Sequence, residues 1–116
     1  MKVPRKQSAA TQAFKANVLS WAAKIHVKPG QVRVQRMTRK WASCSTRRWV
    51  SFSEDLLREP AKFQDYVIVH ELLHLKVPNH GKLFKSLLSA YLPGWKTFSL
   101  GCRTEKPVET EPRANS

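Results

Sequence analysis

Cysteine, glycine, acidic side chains and long apolar runs are all scarce in this chain, and each scarcity excludes something. Four Gly and seven Pro among 116 residues rule out collagen-like and low-complexity chains. Two cysteines, Cys44 and Cys102, make no disulfide framework, so the fold is expected to rest on its core and both thiols to be free. No apolar stretch approaches the length needed to span a bilayer. The basic start Met1-Lys2-Val3-Pro4-Arg5-Lys6 runs into Gln7 and Ser8 instead of a signal-peptide core. The expected location is therefore the cytoplasm, with no membrane partner. Carboxylates are the strongest shortage: 8 Asp and Glu stand against 21 Lys and Arg, for a net charge of +13. Residues 1–103 alone carry +14, which exceeds what solubility requires and points to attraction for polyanions.

What is present suffices for one domain. With 41% hydrophobic residues, a chain of this length is expected to bury roughly 65% of its unfolded surface around a single core. Residues 1–10 lack an apolar period and read as a flexible basic arm. Residues 104–116 hold one branched apolar side chain, Val108, and read as a disordered tail. The single domain is expected over residues 11–103.

Within it, Phe14, Val18, Trp21, Ala22 and Ile25 follow helical spacing from about Thr11 to His26, and Pro29-Gly30 stops that helix. Short alternating segments at Gln31 to Met37, Trp41 to Ser45 and Arg48 to Ser53 predict a small antiparallel three-stranded sheet. The Ser45-Thr46-Arg47 connector is short enough for a hairpin. Ser53, Glu54 and Asp55 suit the cap and first turn of a short helical segment, and Pro60 suits the start of the next helix. From Ala61 to about Lys76, Val67, Ile68, Val69, Leu72, Leu73 and Leu75 are apolar almost all round, which predicts the buried centre of the domain. Pro78 is expected to end this helix and Asn79 to cap another, carrying Leu83, Phe84, Leu87, Leu88 and Tyr91. The expected class is thus α+β.

The buried helix contains His70-Glu71-Leu72-Leu73-His74, a match to H-E-x-x-H. At 3.6 residues per turn the two histidines share a face, so their imidazoles can meet one divalent ion. Glu71, one step round, can reach a water bound there rather than the ion itself. Polar groups among so many aliphatic side chains need a partner, and a metal with its water supplies one. A catalytic zinc takes three protein ligands and keeps one open position. Of the two other histidines, His80 lies past the break at Pro78, where a turn can return it to the metal. At the start of the next helix, the positive helix end favours its neutral ring. His26 reads as a favourable cation at the end of the first helix. The spacing of His70, His74 and His80 equals that of metzincins, yet Val77 stands where their Gly falls, and Met1 and Met37 both precede the motif. The metzincin assignment is rejected.

Several segments in order carry a resemblance to a known family. They are Trp41-Ala42-Ser43-Cys44-Ser45, Asp65 to Leu75 around the helix motif, Pro78-Asn79-His80-Gly81 with Phe84, and Tyr91-Leu92-Pro93-Gly94-Trp95. Together they resemble the YgjP-like metal-dependent hydrolases, a zincin-type group similar in outline to SprT-like metallopeptidases. Ala42 stands where the family usually carries Gly. The resemblance implies a compact zincin-like fold with His70, His74 and His80 as ligands of one Zn2+ and Glu71 as catalytic base. It leaves the substrate open between peptides and nucleotides.

The expected function is a zinc-dependent hydrolase, a metallopeptidase acting as a monomer on peptides or proteins, with Glu71 as general base to a metal-activated water. One alternative is a metal-dependent nucleoside triphosphate pyrophosphatase, against which no Gly-rich phosphate loop is present. The other is a basic nucleic-acid-binding module whose metal is structural. Cys44 as a fourth zinc ligand would close the site, and packing is its expected role. Trp41, Trp49 and Phe52 beside Arg47 and Arg48 resemble a stacking surface for nucleic acid, although strand spacing turns at least half of such aromatics inward. Tyr91, Arg47 and Arg48 have suitable chemistry for steadying an oxyanion, with nothing to choose among them.

Overall fold

A computed structural model describes residues 8–97; the expected tail, Cys102 and most of the expected basic arm lie outside the described residues. The class is α+β: three α-helices and a three-stranded sheet share one core. Helix α1 spans Ala9–Ile25 and is capped by Ser8, whose Oγ accepts from the Thr11 N–H at 3.1 Å. This cap draws Ala9 and Ala10 into the helix, two residues earlier than the apolar period indicates. Phe14, Val18, Ala22 and Ile25 are buried along one side of α1. His26 closes the helix in the left-handed region, at φ 66°.

Strands β1 (Gln31–Gln35), β2 (Ala42–Cys44) and β3 (Trp49–Ser53) lie in the order β1-β3-β2. The β2–β3 hairpin is antiparallel, with Cys44 opposite Val50, as the sequence predicts. The all-antiparallel expectation needs correction, because β1 runs parallel to β3, Val32 opposite Val50 and Val34 opposite Phe52. The cause lies in residues 36–41, which wrap the end of β3. Ser53 donates from Oγ to the Met37 carbonyl at 3.2 Å and from its N–H to the Trp41 carbonyl at 2.8 Å. The chain therefore emerges on the far side of β3, and β2 becomes the opposite edge. The hairpin turn also extends to Arg48, which adopts φ 68° while its N–H donates to the Ser45 carbonyl at 3.0 Å.

Ser53 caps a 3₁₀ turn at Glu54–Arg58, and Pro60 immediately precedes helix α2, Ala61–Leu73. Every residue from Tyr66 to Leu73 is buried, in accord with the all-round apolar pattern. The α1–α2 contact is fixed by Asp65, whose Oδ1 accepts from Asn17 Nδ2 at 2.9 Å and Trp21 Nε1 at 3.1 Å. Carbonyls at the end of α1 are satisfied by Lys76 Nζ, 2.9 Å from Ile25 O, and Tyr91 OH, 3.4 Å from Lys24 O. Helix α2 stops at Leu73, short of the expected Lys76. His74, Leu75 and Lys76 donate to carbonyls three residues back, tightening the chain ahead of Pro78, which disfavours helix at Val77. Helix α3 follows as Lys82–Tyr91, with Gly81 and not Asn79 at its N-cap and no side-chain cap bond. Phe84 and Leu88 are its buried contribution. Among the described residues no helix is long and apolar enough to cross a membrane.

Candidate metal centre

Three histidines from two neighbouring segments meet at the end of α2. His70 lies in the last full turn of the helix, His74 is its C-cap, and His80 sits in the turn before α3. Each offers a ring nitrogen, and the three donor atoms all lie within 4.8 Å of one another. His74 Nε2 and His80 Nε2 are 2.9 Å apart. The ring centroids of His70 lie 5.0 Å from those of both His74 and His80. The sharp turn after Leu73 is what returns His80 across six residues of chain. His26 is exposed at the C-terminal end of α1 and is not one of the three.

Burial is graded across the group: His70 is buried, His74 half-buried and His80 exposed. The group therefore opens to solvent on the His80 side. Phe84, fully buried, packs against all three imidazoles with centroid distances of 5.3, 5.0 and 4.8 Å. Its place in an apolar helical stripe explains its burial but not this contact, because the stripe does not tell which neighbour it packs on.

Glu71 is only 3% exposed, and its Oε2 lies 3.3 Å from His70 Nδ1. In the tautomer with the proton on Nδ1, that nitrogen donates to the carboxylate and Nε2 is the acceptor of the ring. Burial lowers the pKa of His74; the Glu71 carboxylate opposes that effect and His70 adds to it. Burial also lowers the pKa of His80, reinforced by His70 and His74. Both rings are thereby held neutral near pH 7, the form that coordinates metal.

These directions set a pH dependence. Well above pH 6.5, both rings are neutral in the folded and unfolded chains and contribute nothing. Below it, the unfolded chain takes up protons that the folded chain resists, so stability falls until the lowered folded pKa values have been passed. The urea midpoint of the metal-free protein is expected to drop as pH falls below about 6.5, and to drop less in His80→Ala. Equal drops in the two proteins would contradict this assignment.

The donor set suits a divalent transition metal: three imidazole nitrogens, with no Cys, Asp or Glu donor joining the group among the described residues. Cys44 is half-buried on β2, and its Sγ is 3.7 Å from the Ser45 carbonyl. Burial raises the thiol pKa, the Glu71 charge raises it further and Arg48 acts oppositely. Of the aromatic residues read as a stacking surface, Phe52 is fully buried, Trp41 packs edge-on against Phe63 at 5.3 Å, and Trp49 alone lies beneath arginines.

Comparison with known proteins agrees with this geometry. The family model described as YgjP-like, metallopeptidase domain matches residues 5–100. No curated protein matches the sequence. Among solved structures, the chain is similar to the crystal structure of the metallopeptidase zymogen of Methanocaldococcus jannaschii jannalysin, with a TM-score of 0.63 and 23% identity. The match covers 74% of this chain and 83% of that one, and it speaks for the fold. With a family match over most of its length and three histidines placed to bind a metal, the chain belongs to the YgjP-like metallopeptidase domain family.

Proposed function

We propose that this metal-dependent hydrolase is a zinc peptidase in which His70, His74 and His80 hold one Zn2+ and Glu71 is the general base. The observation that carries the proposal is the convergence of three histidine nitrogens within 4.8 Å beside a buried carboxylate. Zinc, when bound, supplies Lewis acidity that polarises the scissile carbonyl and brings the pKa of a water toward neutrality.

The side chains of the protein have separate tasks. Glu71 Oε2 takes the proton of the attacking water and passes it to the leaving amine. His70 Nδ1, 3.3 Å away, is the contact that orients that carboxylate. Phe84 fixes the planes of the three imidazoles and excludes water from behind them. Strand β2 is one edge of the sheet and lies against α2. An extended peptide would add along it, with backbone hydrogen bonds supplying the binding and shallow contacts a limited selectivity.

The test is to incubate the zinc-loaded chain with unfolded casein and, separately, with nucleoside triphosphates. Casein cleavage with intact triphosphates is the expected result. Triphosphate hydrolysis with intact casein would assign a pyrophosphatase. Neither reaction, together with zinc-dependent folding, would leave the metal a structural role.

A further inference from the structure

We propose that the sheet face centred on Trp49, turned away from the catalytic helix, docks single-stranded nucleic acid. Val50 and Phe52 of β3 point into the core and are fully buried, while Trp49 lies on the opposite face and remains half-exposed. On neighbouring β1, the exposed residues Gln31, Arg33 and Gln35 occupy that face. The Arg33 guanidinium carbon sits 4.7 Å from the Trp49 ring centroid, and that of Arg47 5.6 Å. Among the described residues neither arginine is in an ion pair.

The indole is held in place from its edge. Gly30 donates its N–H to the Arg48 carbonyl at 2.7 Å. A Cβ at Gly30 would meet the Arg47 carbonyl oxygen at 2.9 Å and Trp49 Cδ1 at 3.1 Å. Only glycine allows that approach without displacing the hairpin. Arg48, at φ 68°, donates from Nε to the Lys28 carbonyl at 3.2 Å, which ties the turn to the same loop. The ring therefore sits on a fixed backbone, with the two guanidinium groups over it.

Charge supplies the complement. No Asp or Glu precedes Glu54, whereas twelve Lys and Arg do, so α1 and the whole sheet carry no carboxylate of their own. That field alone would attract any polyanion. The aromatic centre narrows the partner, because an indole flanked by guanidinium planes offers stacking surfaces to bases, and the arginine N–H groups reach phosphates. Bases of a duplex are stacked on one another and cannot use the platform, so a single strand is the better match.

Anisotropy titration of a labelled oligothymidylate with the full, zinc-loaded chain tests this. Trp49→Ala is expected to weaken binding about tenfold, the size of one lost base stack, and Trp49→Phe by much less. Joint replacement of Arg33 and Arg47 by Ala is expected to flatten the log–log salt slope by about 1.4, at about 0.7 for each phosphate contact on a single strand. Replacement of the exposed Lys62 and Lys82 by Ala removes equal charge elsewhere and is expected to have the smaller effect. Glu71→Gln is expected to bind unchanged, which separates this surface from the peptidase assignment. Equal losses in the arginine and lysine pairs, duplex DNA bound as tightly as the single strand, or no binding at low salt would each overturn the proposal. If Trp49→Ala does not fold, Trp49→Phe and the arginine pair decide.

Discussion

Glu71→Gln is expected to bind added zinc as the wild type does and to lose peptide hydrolysis by about 10²- to 10⁴-fold, the contribution typical of a positioned general base. Glutamine preserves the volume and one oxygen of a side chain that is 3% exposed, so the surrounding Tyr66 to Leu73 packing has no reason to change. What disappears is the capacity to accept a proton. Steady-state hydrolysis of casein, with metal content measured on the same samples, checks both halves. A variant with full activity would remove Glu71 from the scheme, and one that loses metal would recast it as part of the binding shell.

His80→Ala is expected to act through the metal instead. His80 is exposed and lies in a turn, so its removal deletes little core contact and creates no buried cavity. With two imidazoles left, zinc affinity is expected to fall by more than the roughly 10–100-fold that loss of an outer partner costs. Activity falls with it. Thermal unfolding separates this from a folding defect. The metal-free variant should melt close to metal-free wild type, while added zinc raises the wild-type midpoint and leaves that of the variant nearly unmoved. Stabilisation by a ligand at a hundred times its Kd is about 2.7 kcal/mol, readily seen in a domain of this size. Equal zinc stabilisation of both proteins would show that His80 is not needed to hold the ion.

Much of the centre was legible because its chemistry is local. His70, Glu71 and His74 lie within one helical turn and a half, and the surrounding aliphatic residues announce a buried helix whatever the rest of the fold. His80 was legible through the break at Pro78, although the helix stops earlier, at Leu73, and Gly81 caps the next one. Strand direction was not legible. Alternation in Gln31–Gln35 marks which side chains face inward, but it is silent on which neighbour a strand pairs with and on the sense of pairing. The parallel β1–β3 contact depends on Ser53 anchoring Met37 and Trp41, a link between residues that share no pattern. Phe84 illustrates the same limit: its spacing shows burial, and its contact with three imidazoles follows only from the crossing of α2 and α3.

The most direct test of the central claim is the zinc K-edge absorption spectrum of the loaded protein, which reads the atoms around the ion. Three nitrogen neighbours at about 2.0–2.1 Å with imidazole outer-shell features, and a single further oxygen, are expected. A sulfur neighbour at about 2.3 Å, placing a cysteine on the metal, or fewer than three imidazoles would contradict the account.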